Sequence, residues 1–118
     1  MLSGAVSGGS EIEVGPRRAA ELAAEGATVV DVREGYEREA GHIEGSTHIE
    51  LARVAASAAE IDRDLPVVFY CRVGARSLMA ASAFRAAGYD AYTLGGGLLA
   101  WVADGLPIVP EGGRVADH

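Results

Sequence analysis

The sequence predicts one α/β domain, with an approximately five-stranded, mainly parallel sheet covered by helices on both faces. Three observations predict it. Short apolar runs rich in β-branched residues alternate with Ala-rich amphipathic stretches along the chain. The run Val67-Val68-Phe69-Tyr70 is apolar without alternation, the mark of a strand buried on both faces of a parallel sheet. The chain has 118 residues, enough for one compact domain and too few for two ordinary ones.

The elements follow in order. Residues 1–10 are Gly/Ser-rich without periodicity and read as a flexible N-terminal tail; 110–118 read the same way at the other end, leaving 11–109 as the domain. Ile12–Val14 is a short strand. Pro16 stands at a first helical position, Ala19, Ala20, Leu22 and Ala23 give the helix its apolar face, and Gly26 ends it. Thr28–Val32 is a buried strand, Thr47–Ile49 another, and Leu51–Ile61 an Ala-rich helix. After strand Val67–Tyr70, the stretch Cys71–Arg76 leads into helix Ser77–Ala87, stopped by Gly88. Ala91–Leu94 is a strand, Gly95-Gly96-Gly97 a turn, and Leu98–Ala103 a short helix carrying Trp101.

Composition excludes several function classes. Ten Lys+Arg against seventeen Asp+Glu leave a net charge of −7, which repels phosphate backbones and argues against a nucleic-acid partner. Every cation is arginine, so no Schiff-base lysine and no phosphate-loop lysine can exist here. No apolar stretch approaches the ~20 residues that span a bilayer, and Met1–Val6 lacks a secretory basic flank. A cytoplasmic protein without membrane contact is expected. The single cysteine, Cys71, can form neither an internal disulfide nor a Cys-based zinc site alone. His42, His48 and His118 lack metal-ligand spacing, so neither metal nor cofactor is expected, and His42 reads as a structural histidine in a turn. Gly95-x-Gly97-x-x-Ala100 spells a dinucleotide fingerprint, but too little chain follows Ala100 to complete a nucleotide-binding unit.

Cys71 stands at the carboxyl end of the continuous apolar strand Val67–Tyr70, where ligands of open α/β sheets bind. Free cysteines often pack as small apolar residues. Against that reading, Arg72 and Arg76 bracket the loop and Gly74 permits a tight curl. If Val73-Gly74-Ala75 curls around the sulfur, successive N–H groups form an anion-binding nest. The positive end of the following helix adds about 0.3–1 kcal/mol. A thiol near ~8.5 is mostly protonated at neutral pH, so these effects decide whether it is a nucleophile. Cys71 therefore reads as a reactive thiolate.

The run Cys71-Arg72-Val73-Gly74-Ala75-Arg76-Ser77 resembles the active-site loop of the rhodanese family of single-domain sulfurtransferases. Asp31-Val32-Arg33-Glu34 with Gly41-His42-Ile43-Glu44-Gly45-Ser46, and Leu94-Gly95-Gly96-Gly97 with Ala100-Trp101, are similar to two further hallmarks. The resemblance runs from about Ile12 to Val109; Arg38, Glu44 and Glu50 depart from it, all outside the cysteine loop. It implies that Cys71 takes a sulfur from a small anionic donor, thiosulfate or a persulfide, and holds it as a persulfide cradled by Arg72 through Ser77. A thiol, cyanide or a protein acceptor then removes it. It further implies that Arg72 and Arg76 bind the donor's oxyanion and that Asp31 orients Arg72. Arg33 either lines the same mouth or is a solvated arginine. Ser77 either donates to the sulfur or caps the helix. Cysteine phosphatases need Cys-x5-Arg; here only four residues separate Cys71 from Arg76, which disfavours that chemistry. A second reading is a sulfur-relay or regulatory binding module, and a third an inert binding domain, against which the intact cysteine and loop arginines argue.

Overall fold

The structure is a computed structural model that describes residues 11–118; the expected N-terminal tail lies outside the described residues. Five parallel strands form one sheet in the order β1-β5-β4-β2-β3. They are β1 (Glu13–Val14), β2 (Thr28–Asp31), β3 (Thr47–His48), β4 (Val67–Tyr70) and β5 (Ala91–Leu94). The helices are α1 (Pro16–Ala24), α2 (Gly35–Ala40), α3 (Leu51–Val54), α4 (Ala75–Ala86) and α5 (Gly97–Ala103), with a 3-10 turn at Ala58–Glu60. The predicted α/β class and strand count are what the structure has. No helix among the described residues is long and apolar enough to cross a membrane.

β4 lies between β2 and β5, and all four of its residues are buried. Because side chains alternate along a strand, its continuous apolar run feeds two cores. Val67 and Phe69 face Val30, Val32, Ala81 and Phe84, a cluster that also includes Cys71. Val68 and Tyr70 face Ala19, Leu22, Leu98 and Trp101. In the first core the ring centroids of Phe69 and Phe84 are 5.0 Å apart, and those of Phe84 and Tyr89 4.8 Å.

Three segments differ from the sequence expectation. Helix α2 has no apolar periodicity to announce it; a capping box makes it, with Glu34 as N-cap and the Glu37 carboxylate accepting from the Glu34 N–H at 3.1 Å. The expected helix over 51–61 stops at Val54 and tightens into i→i+3 turns at Glu60 and Ile61. The Ala58 carbonyl, which accepts from the Ile61 N–H at 3.0 Å, also accepts from the Tyr89 hydroxyl at 3.1 Å. The stretch 110–118, expected as a flexible tail, folds back on the domain. His42 and Val109 exchange backbone hydrogen bonds of 2.8 Å, and the Arg114 N–H donates to the Ala40 carbonyl at 2.8 Å. Gly41 allows this approach, since a Cβ there would lie 2.6 Å from the Arg114 carbonyl oxygen.

A buried ionic cluster ties β2 to that segment. Arg33 grips the Asp31 carboxylate with Nε and Nη2 at 2.9 and 2.8 Å, and its Nη2 also donates to the Gly41 carbonyl at 2.8 Å. The Tyr70 hydroxyl donates to Asp31 Oδ2 at 3.0 Å. Asp31 and Arg33 are both 0% exposed. Burial pushes the Asp31 carboxyl up, but the Arg33 fork outweighs it and holds the group below its ordinary value. Its contribution to stability is therefore present above the ordinary carboxylate range and is lost as pH falls through the lowered value. Asp31→Ala strands a buried guanidinium and should destabilise the protein by about 3–5 kcal/mol at neutral pH, read from denaturant unfolding; a loss under about 1 kcal/mol would contradict this.

Candidate active site

Cys71 follows β4 directly and turns its wholly buried sulfur toward the N-terminus of α4. The Gly74 N–H reaches the sulfur at 3.1 Å, the Ser77 N–H at 3.4 Å, and the Ser77 hydroxyl lies at 3.5 Å. The curl that aims these groups inward passes through Gly74 at φ +109°, a conformation that favours glycine. The loop's outer edge is held by α5. The Leu98 N–H donates to the Cys71 carbonyl at 2.8 Å and the Leu99 N–H to the Arg72 carbonyl at 3.2 Å. Gly97 makes this docking possible, because any Cβ there would run into the Arg72 carbonyl.

The sulfur thus exchanges water for fixed donors. Burial pushes the Cys71 thiol up, yet the Ser77 hydroxyl and the amides of Ser77, Gly74 and Arg76 outweigh it, so the thiol lies below its ordinary value. The first turn of α4 brings its positive end to the same place. Together these favour a nucleophilic thiolate.

The two loop arginines differ. Arg76 forks onto Glu37 with Nη1–Oε1 and Nη2–Oε2 at 2.8 and 2.9 Å, and Glu37 is wholly buried. Arg72 has only the fully exposed Asp117 carboxylate, 3.3 Å from Nη2, and its buried Nε has no partner among the described residues. An exposed pair of that kind holds a guanidinium weakly. Sequence reasoning missed Glu37; its signal was Glu34-x-x-Glu37, the capping box that sets the carboxylate beside the loop.

The other expected contacts fall differently. Asp31 pairs in register with Tyr70 and shares its face of the sheet, whereas Cys71, one residue on, belongs to the opposite core. Asp31 therefore pairs with Arg33 rather than Arg72, and Arg33 is sealed in the interior instead of lining a mouth. His42 Nδ1 lies 3.1 Å from the Arg38 carbonyl oxygen, in the turn after α2. Val73 is half exposed at the loop's tip. Beside the loop a cleft of about 430 Å³ is lined by Val32, Glu34, Glu50, Leu51, Arg76 and His118, among others.

The chain is thus an α/β domain that buries a thiol at the carboxyl end of its central strand, inside a loop of inward amides. Residues 16–104 match the rhodanese-like domain, and the chain belongs to that family. It is 40% identical over 89 residues to thiosulfate sulfurtransferase GlpE of Pseudomonas aeruginosa, covering 75% of this chain and 81% of that one. It is 44% identical over 91 residues to an HTH-type transcriptional regulator of Mycobacterium tuberculosis, covering 75% of this chain and 39% of the regulator. A rhodanese-related protein from Thermoplasma volcanium superposes with a TM-score of 0.77 at 27% identity, covering 82% of this chain and 96% of that one.

The site generates a pH prediction. The alkylation rate of Cys71 should rise through a midpoint below the ordinary thiol value of ~8.5 and stay level above it. A midpoint at or above that value would mean that burial wins.

Proposed function

We propose that this chain is a sulfurtransferase that carries a sulfane sulfur on Cys71. The observation that carries the reading is the buried sulfur with the Gly74 and Ser77 amides converging on it, a cradle suited to an anion that must be stored out of water. The 40% identity to a thiosulfate sulfurtransferase supports it. The Cys71 thiolate attacks the outer sulfur of thiosulfate; the S–S bond breaks and sulfite leaves with its electron pair. The Cys71 persulfide anion remains under the loop amides. A thiolate or cyanide attacks the outer sulfur, the new S–S bond breaks, and the Cys71 thiolate is restored as persulfide or thiocyanate departs. An organic persulfide donor follows the same course with a thiolate as leaving group.

Arg72, weakly held by Asp117, receives the donor's oxyanion. Arg76, gripped by Glu37, fixes the first turn of α4 and lends its charge from there. Val73 and Ala75 shape the rim of the cradle, while Asp31 and Arg33 support the strand ends beneath it. The match to part of a transcriptional regulator favours a second reading, in which the domain hands its sulfur to a partner protein or reports sulfur status to it.

Turnover of thiosulfate with cyanide tests the proposal. Cys71→Ser should abolish it while leaving the fold intact, and retained turnover would remove the covalent route. Arg72→Ala should raise the KM for thiosulfate about tenfold, the loss of one charge-assisted contact, with a smaller effect on an uncharged sulfur donor. Equal losses for both donors would mean that Arg72 only shapes the loop.

A further inference from the structure

Thr93 sits on β5, opposite Phe69 of β4, and is 1% exposed. A hydroxyl in that position needs a partner. Its Oγ1 lies 2.7 Å from Ser77 Oγ, and no other partner for it occurs among the described residues. Ser77 Oγ has three neighbours: Thr93 Oγ1, the Gly74 carbonyl oxygen at 3.2 Å and the Cys71 sulfur at 3.5 Å. It has one proton and two lone pairs to share among them.

Only one direction of the Thr93–Ser77 bond satisfies both hydroxyls. If Ser77 donated to Thr93, the Thr93 proton would have no acceptor in a site closed to water, and the sulfur would lose its hydroxyl donor. If Thr93 donates to Ser77, the Ser77 proton is left to the Gly74 carbonyl or to the sulfur. A thiolate accepts a charge-assisted bond and draws that proton; a neutral thiol leaves it on the carbonyl. We propose that Thr93 is a positioning residue of this site, whose hydroxyl donates to Ser77 Oγ and thereby aims the Ser77 O–H at the Cys71 sulfur. The inference rests on Cys71 being the sulfur carrier, and it adds a residue from β5 to a cradle otherwise built by the loop and α4.

The charged groups around the sulfur are Arg72 and Arg76 from the loop and the start of α4, with Glu34 and Glu37 from α2 acting on Arg76 and Asp117 on Arg72. None of them hydrogen-bonds to Thr93, so a substitution there reaches the thiol through Ser77. The chain's one cysteine makes thiolate ultraviolet absorbance against pH, with Cys71→Ser as the blank, a reading of this sulfur alone. Thr93→Val keeps the side-chain shape and removes the hydroxyl. It should cut the thiolate fraction on the acid limb of the titration about fivefold, and Thr93→Ser should restore it. In a Ser77→Ala background, Thr93→Val should change nothing further. An unshifted titration in Thr93→Val, or an equal shift with and without Ser77, would overturn the proposal; should the valine variant not fold, Thr93→Ala gives the same reading. The titration uses no sulfur donor, so a wild-type protein that fails to take up sulfur would count against the sulfurtransferase reading and leave this test standing.

Discussion

A sulfur taken out of water stays neutral unless fixed dipoles replace the hydration its anion would lose, and the whole domain is arranged around meeting that condition at Cys71. The central strand carries the sulfur into the interior, and the loop then returns amides to it. Gly74 permits the curl, Gly97 permits α5 to dock against the loop carbonyls, and Ser77 closes the cradle with both its amide and its hydroxyl. Each device would be costly elsewhere in a core. Here they act together on one atom.

Charge is paired at the strand and helix ends around the loop. On one face the Asp31–Arg33–Tyr70 cluster closes the end of β2 and anchors the C-terminal stretch through Gly41. Next to it, Glu37 reaches Arg76 and fixes the first turn of α4 against α2. Buried ion pairs add little net stability over apolar packing, but they are demanding of geometry. Both pairs lie where geometry matters, beside strand and helix ends that frame the loop. Arg72 is left as the cation with the weaker tie, which suits it to an incoming anion.

The fold was legible because its signals are strong and local. Val67–Tyr70 could be little but a doubly covered strand, and Pro16, Gly26 and Gly88 punctuate the helices where the structure does. The cysteine loop was legible for the same reason: its residues are contiguous. What escaped depends on contacts between distant segments. Helix α2 has no apolar stripe and exists through its capping box, so Glu37 went unnoticed as the partner of Arg76. The pairing of Asp31 turned on strand register, which decides the face a side chain occupies and is invisible in spacing alone. Residues 110–118 look like a tail by composition, yet they are held by contacts with distant segments, among them the Arg114 N–H on the Ala40 carbonyl and the Tyr36 hydroxyl on the Asp117 carbonyl, which composition does not announce.

Sulfur transfer through this site requires Cys71 to hold sulfur covalently. The most direct measurement is the intact mass of the purified protein before and after incubation with thiosulfate, repeated with an organic persulfide. The expected result is a gain of one sulfur atom that cyanide removes and that Cys71→Ser never shows. A folded protein that gains no sulfur from either donor, or a Cys71→Ser variant that gains it equally, would contradict it.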